Sequence, residues 1–310
     1  MPTKPRALSP GALLGVISPA STPQAVRVQS GIDALHAMGY RTKLYPHALD
    51  RGPLYYAGTV ADRVADLHAA FADAQVDAVI CTRGGWGSAE LLPLLNRDLI
   101  RANPKPFLGY SDHTTLHLWL RNVAGMVSFQ APMVAADFSK SDGVDLASWS
   151  AALEGTAAWS LGPESGLRVL RPGTAEGELS GGCLAIYAES LGTPWSAINH
   201  GGVLMLEDIN VKPFQWDRML VHLRLAGLLK GVQGICFGDM QQSCSIEEQA
   251  ALEASLLHAL SDFAGPIAIG LRSGHVDRGN ITLPFGVRVR LDLTDRADPR
   301  LHFLEGAVQF

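Results

Sequence analysis

Apolar and polar positions follow a regular rhythm through the first half of the chain. Residues 11–18 form a short apolar run that stops at Ser18-Pro19-Ala20-Ser21, a turn and helix-start signal. Over 22–38, Val26, Ile32, Leu35 and Met38 share one helical face, and Gly39 ends the helix. Residues 41–45 read as a strand and 59–74 as an amphipathic helix. Then come a buried strand over 76–82, a helix over 88–95, a strand over 106–110 and a helix over 113–123. Strands alternating with helices predict a parallel sheet with helices on both faces. Ser, Asp, Gly and Pro accumulate between 137 and 176, which places a boundary there. Beyond it, strands are expected at 202–206, 232–237, 266–270, 287–293 and 301–304, with helices at 184–191, 215–225 and 246–262. The second half is therefore expected to be mixed α/β. The expected division is 1–137, a connecting region 138–176, and 177–310.

Composition narrows the function classes. With 310 residues and 47% apolar content, the chain can fill two cores. A formal net charge of -5 gives no basic surface for nucleic acid or anionic membrane, so neither is expected as a partner. Four cysteines, Cys81, Cys183, Cys236 and Cys244, are scattered without a CxxC pair. The first three lie in apolar runs, so buried free thiols and a reducing, cytoplasmic setting are expected. The N-terminal apolar stretch is broken by Gly11 and Gly15 and reads as a first strand rather than a signal peptide. No 18-residue apolar run predicts a membrane helix.

Four segments could carry chemistry. In Gly109-Tyr110-Ser111-Asp112-His113 a strand runs directly into a helix. A Ser on such a turn presents its hydroxyl at the sheet edge, as in a nucleophile elbow, or simply caps the helix. In Arg83-Gly84-Gly85-Trp86-Gly87 a buried strand meets a glycine turn. It lacks the third glycine of a dinucleotide fingerprint and the Gly-Lys-Ser/Thr of a P-loop. A backbone N–H site or a plain tight turn remains. Glu207 and Asp208 end a buried strand, where acids are costly unless paired or solvated. The strand pattern alone barely separates them. His275 sits in a Gly-flanked loop after a strand, a common place for functional residues and for ordinary exposed ones. No metal-ligand spacing such as HExxH appears, so neither metal nor cofactor is expected. The order Ser, acid, His matches the α/β-hydrolases.

Taken together the segments resemble the LD-carboxypeptidase family of serine peptidases, whose relatives include the microcin C self-immunity peptidases. The residues that carry the resemblance are Val16-Ile17-Ser18-Pro19-Ala20-Ser21, Arg83-Gly84-Gly85-Trp86-Gly87, Gly109-Tyr110-Ser111-Asp112, Gly181-Gly182-Cys183-Leu184, Leu206-Glu207-Asp208-Ile209, and Gly274-His275 with Asn280 and Leu283-Pro284-Phe285-Gly286. The resemblance implies an N-terminal Rossmann-like parallel-sheet domain, a C-terminal mixed α/β domain, and an active site between them. It implies Ser111 as nucleophile, His275 as base and Glu207, not Asp208, as the partner of that base. It implies an oxyanion hole from the backbone N–H groups of Asp112 and Gly85. Arg83 and Trp86 become candidate substrate-binding residues, Arg83 for a terminal carboxylate. Trp86 stands where many relatives have Tyr, and Cys183 where Asn is common.

The implied reaction removes terminal D-Ala from the tetrapeptide stem of peptidoglycan through an acyl-enzyme. The competing expectations are a microcin-immunity-like amidase acting on a peptidyl or aminoacyl nucleotide, and a non-enzymatic nucleotide or small-molecule binding module built on the Rossmann-like half. The expected partners are a small peptide substrate and a second copy of the chain.

Overall fold

In the computed structural model, which describes residues 1–240, 245 and 247–310, two α/β sheets organise the chain. The chain divides into two compact units. The first comprises Met1–Thr156, Asp277–Gly286 and Gly306–Phe310, and the second Ala157–Val276 and Val287–Glu305.

The first unit holds a six-stranded sheet in the order Leu283–Phe285, Ser128–Gln130, Phe107–Gly109, Ala78–Cys81, Leu13–Ile17, Arg41–Leu44. All neighbours pair in parallel except Leu283–Phe285, which runs antiparallel to Ser128–Gln130. Parallel strands with helices on both faces carry apolar side chains on each. Ala78–Cys81 is accordingly buried at every position. Helix Ala25–Ala37 buries Val28, Ile32 and Leu35, while Val26 stays exposed. Helix Val60–Ala72 opens on a capping box between Thr59 and Asp62 and buries Val64, Leu67 and Phe71. The segment Ser88–Leu94 is a 3₁₀ helix rather than an α-helix and contains Pro93, which has no N–H to donate.

The strand order reverses around Leu13–Ile17, so the loops after it and after Ala78–Cys81 leave the same carboxyl edge. In open α/β sheets that crevice is where ligands bind. Here the two loops are joined by Ser18 Oγ and Thr82 Oγ1 at 2.6 Å, and by the Trp86 N–H donating to Ser21 Oγ at 3.1 Å.

The second unit holds an eight-stranded sheet in the order Trp159–Leu161, Arg300–Phe303, Arg288–Asp292, Thr174–Cys183, Gly202–Glu207, Val232–Gly238, Ile267–Leu271, Arg168–Arg171. Its four strands from Thr174–Cys183 to Ile267–Leu271 are parallel, and antiparallel strands flank them on both sides. Gly202–Glu207 is buried along its whole length. Helices Leu184–Glu189, Pro213–Leu225 and Gln249–Ala259 belong to this unit. The expected start of the last helix at Ile246, and Cys244, lie outside the described residues. Cys81, Cys183 and Cys236 are buried and in no disulfide. Among the described residues no helix is long and apolar enough to cross a membrane.

One glycine is indispensable to the second sheet. Gly181 has φ +139, and a Cβ there would overlap the Met205 carbonyl oxygen on the neighbouring strand. Gly181→Ala is therefore expected to cost about 2–4 kcal/mol, from backbone strain and overpacking together. Urea unfolding would measure it, and a variant within about 0.5 kcal/mol of wild type would contradict this account of the strand.

Candidate active site

Ser111 lies in the first unit at the end of strand Phe107–Gly109. Tyr110 is extended, and Ser111 then takes φ 66 before the chain enters the 3₁₀ turn Ser111–His113 and helix Thr114–Trp119. A positive φ outside Gly, Asn and Asp is uncommon and costs about 1–3 kcal/mol. The N-cap positions of the turn and of the helix are Tyr110 and His113, not Ser111. The hydroxyl therefore sits on a sharp, strained corner instead of capping either element.

The 83–87 turn lies directly against this corner. A Cβ on Gly84 would fall 2.7 Å from Ser111 Cβ, 2.8 Å from Ser111 Oγ and 3.4 Å from the Asp112 nitrogen. Only glycine permits that approach. Gly85 has φ +113, and a Cβ there would overlap Ser21 Oγ. Three hydrogen bonds join the turn to the corner. The Ser88 N–H donates to Asp112 Oδ2 at 2.8 Å, Ser88 Oγ meets His113 Nδ1 at 3.1 Å, and His113 Nε2 meets the Arg83 carbonyl at 3.0 Å. Asp112 is fully buried, and desolvation raises its pKa above the ordinary carboxylate value. Its Oδ1 has no hydrogen-bond partner among the described residues.

Arg63 braces the turn from behind. It is 2% exposed, donates to the carbonyls of Pro19 and Gly87 at 3.1 and 2.8 Å, pairs with Glu90 at 2.6 Å, and stacks 4.8 Å from the Tyr56 ring. Sequence reasoning passed over Arg63, although a guanidinium in the apolar stripe of helix Val60–Ala72 is a signal that it has buried partners. Arg83 itself is exposed and donates its Nε–H to the Gly84 carbonyl at 3.2 Å. No carboxylate pairs with it among the described residues. Trp86 is 36% exposed.

Glu207 and His275 lie in the second unit, and there they meet. Glu207 Oε2 accepts the His275 backbone N–H at 2.9 Å and pairs with His275 Nδ1 at 2.7 Å. A carboxylate only accepts, so Nδ1 carries a proton. In the neutral ring Nε2 is then left with its lone pair, the form a general base requires. Glu207 is 2% exposed. Two glycines make room for it. A Cβ on Gly274, at φ +96, would overlap the Glu207 carboxyl carbon, and one on Gly238 would come within 2.6 Å of Glu207 Cβ.

Asp208 turns elsewhere. Its Oδ2 accepts from the Ala185 N–H at the start of helix Leu184–Glu189, and its Oδ1 from the Ile209 N–H, both at 2.8 Å. Burial and the adjacent Glu207 charge push its pKa up to about 6.

One group of side chains away from these residues has the donors to hold a cation. Ligand atoms of His47, Asp50 and Asp62 lie within 4.8 Å of one another. Their geometry already has local causes: His47 Nδ1 hydrogen-bonds Asp50 at 2.8 Å, and Asp62 belongs to the helix capping box.

The first unit thus carries a strained serine at the carboxyl edge of a Rossmann-like parallel sheet, and the second carries a histidine held by a buried glutamate, side chains of the kinds a hydrolase uses. Comparison with known proteins supports a peptidase hydrolase of a carboxypeptidase family. Residues 14–131 match the LD-carboxypeptidase N-terminal domain and residues 176–291 the LD-carboxypeptidase C-terminal domain. The chain is 38% identical over 299 residues to a putative carboxypeptidase of Streptomyces coelicolor, covering 93% of each. It is 36% identical over 299 residues to a probable murein peptide carboxypeptidase of Bacillus subtilis, covering 94% of this chain and 92% of the relative. The crystal structure of muramoyltetrapeptide carboxypeptidase from Oxalobacter formigenes superposes with a TM-score of 0.83 at 27% identity, over 95% of this chain and 99% of that one. The fold also matches a microcin-immunity-like protein from Bacillus anthracis, with a TM-score of 0.88 at 24% identity over 97% and 99% of the two chains. The chain belongs to the LD-carboxypeptidase family.

Two outcomes test the local geometry. Ser111→Gly and Ser111→Ala both remove the hydroxyl, but only glycine is at ease at φ 66. Ser111→Gly is expected to be more stable than Ser111→Ala by about 1 kcal/mol, read from paired denaturant curves. The second outcome concerns the acids. Glu207→Gln is expected to lower turnover at least about 100-fold, because an amide neither fixes the Nδ1–H tautomer nor stabilises the imidazolium. Asp208→Asn is expected to stay within about tenfold of wild type, since its two carboxylate oxygens accept from the backbone N–H groups of Ala185 and Ile209. Asp208 also has a pH signature. Its folded pKa lies above the unfolded one, so its contribution to stability is complete below about pH 4 and fades as pH rises through about 6. Asp208→Asn removes that component, which thermal unfolding across pH 4–7 would show.

Proposed function

We propose that this chain is a serine-type LD-carboxypeptidase that hydrolyses the L,D amide bond releasing terminal D-Ala from peptidoglycan tetrapeptides. Ser111 is the nucleophile, His275 the general base and Glu207 the residue that orients it. The observation that carries this proposal is the double hydrogen bond from His275 to Glu207 Oε2, which presents an unprotonated Nε2. The strained φ of Ser111 and the relationship to a probable murein peptide carboxypeptidase support it.

The chemistry follows from the residues. His275 Nε2 takes the Ser111 proton as Oγ attacks the scissile carbonyl, and the imidazolium so formed is stabilised by the Glu207 carboxylate. Backbone N–H groups of Asp112 and the 83–87 turn receive the charge that develops on the carbonyl oxygen. His275 then gives the proton to the leaving amine of D-Ala, and water attacks the acyl-enzyme by the reverse sequence. Arg83, exposed and without an ion-pair partner among the described residues, binds the terminal carboxylate of the substrate. A muropeptide substrate of this kind places the enzyme in the cytoplasm, in murein recycling.

The test is incubation with murein tri-, tetra- and pentapeptides, with products read by mass spectrometry. Release of D-Ala from the tetrapeptide is expected. Amidation of its terminal carboxylate should lower kcat/KM about 10–100-fold, the worth of a charge-assisted hydrogen bond, and Arg83→Ala should abolish most of that difference. An undiminished penalty in Arg83→Ala would assign the carboxylate to another cation. No penalty at all would favour an amidase acting on a peptidyl or aminoacyl nucleotide. Because His275 must be neutral to accept a proton, kcat/KM should rise as pH climbs through the imidazole range, about 6.5 for an unperturbed ring. A flat profile between pH 5 and 8 would argue against a histidine base.

A further inference from the structure

His113, two residues after Ser111, has no part in the proton transfers described above. It is fully buried, and burial pushes its pKa down to about 4, so the ring is neutral at neutral pH. Its two nitrogens have different partners. The Arg83 carbonyl at 3.0 Å can only accept, so Nε2 carries the proton and donates it there. Nδ1 is then an acceptor and receives a hydrogen bond from the Ser88 hydroxyl at 3.1 Å. A single tautomer satisfies both bonds.

The Arg83 carbonyl is a consequential atom to hold. A peptide unit is planar, so fixing its oxygen also fixes the direction of the Gly84 N–H on the opposite side. The next carbonyl, of Gly84, is held by the Arg83 Nε–H at 3.2 Å, which fixes the Gly85 N–H in the same way. Both glycines have unusual freedom to rotate, and Gly84 lies against Ser111 Oγ. Without external bonds, these peptide units would sample several orientations beside the nucleophile.

Resting on the proposed role of Ser111, we propose that His113 is a positioning residue for the reaction: its Nε2–H, the tautomer that the acceptor-only Arg83 carbonyl requires, locks the Arg83–Gly84 peptide, and with it the backbone donors of the glycine turn, in register with the serine, while Ser88 Oγ holds the other ring nitrogen. The bond bridges 30 positions in the chain. It makes the oxyanion turn and the nucleophile corner one rigid piece. Loss of an aligned oxyanion donor typically costs about 10²–10³ in rate.

Three variants of the full-length chain test this, assayed on the murein tetrapeptide and by the rate of serine labelling with a fluorophosphonate. His113→Leu removes both bonds. His113→Gln places an amide N–H near the position of Nε2, and His113→Asn reaches only the position of Nδ1. His113→Leu is expected to lower kcat about 100-fold with KM within a few-fold, and to slow labelling similarly. His113→Gln should recover at least tenfold of that loss, and His113→Asn should not. If His113→Leu does not fold, the Gln and Asn pair still decides. Equal kcat in the Gln and Asn variants, or losses that simply follow their thermal midpoints, would overturn the proposal. Ser111→Ala run in parallel keeps the two ideas apart. Activity or labelling surviving in it would sink the serine nucleophile itself, whatever the His113 variants show.

Discussion

A carboxylate buried at the end of a central strand is stable only if hydrogen bonds replace the water it has lost. Glu207 meets that requirement at one oxygen: the backbone N–H and the ring N–H of His275 both end on Oε2, while Oε1 is buried without a hydrogen-bond partner among the described residues. The arrangement demands space, and Gly238 and Gly274 supply it by having no side chain where the carboxyl group lies. It also demands that His275 keep its proton on Nδ1, which exposes a basic nitrogen on the other side of the ring. The two bonds that solvate one oxygen of a buried acid are thus the same two that fix the ring tautomer the proposed base requires.

The first unit meets a comparable need with backbone strain. Ser111 holds a left-handed φ, and Gly84 stands close enough to touch its side chain. Neither feature lowers the energy of the fold by itself. They persist because Arg63, Ser88, Asp112 and His113 tie the surrounding loops together with buried hydrogen bonds. Local rules are broken where the chemistry is proposed to occur, and the neighbouring residues bear the cost.

Much of this was legible in the sequence because it depends on local pattern. The strands leading to Arg83 and Ser111 are short apolar runs bounded by glycine, and they appear where the pattern put them, shorter by a residue or two at each end. What stayed hidden depends on distant partners. Thr174–Cys183 is a ten-residue strand whose polar and glycine-rich sequence gives no strand signal. It exists because Gly202–Glu207 and Arg288–Asp292 pair with its two edges. Leu283–Phe285 was seen as a motif and not as a sheet edge. The strand pattern could not separate Glu207 from Asp208, a choice left to the family resemblance, because a strand buried on both faces has no polar side for alternation to mark. The roles of Arg63 and His113 rest on carbonyls 24 to 44 residues away.

The first unit is discontinuous, and the chain passes between the units after Thr156, Val276, Gly286 and Glu305. Its antiparallel edge strand therefore comes from residues near the C-terminus, more than 150 positions after the strand it completes. During synthesis the ribosome must deliver almost the entire polypeptide before that sheet can close. Until then the edge of Ser128–Gln130 has no partner strand on that side. Such non-local pairing slows folding and leaves an unpaired edge open to association with other chains. A nascent chain stalled before residue 283 would carry Ser111 and His275 already made, yet lack the strand that finishes the sheet on which Ser111 lies.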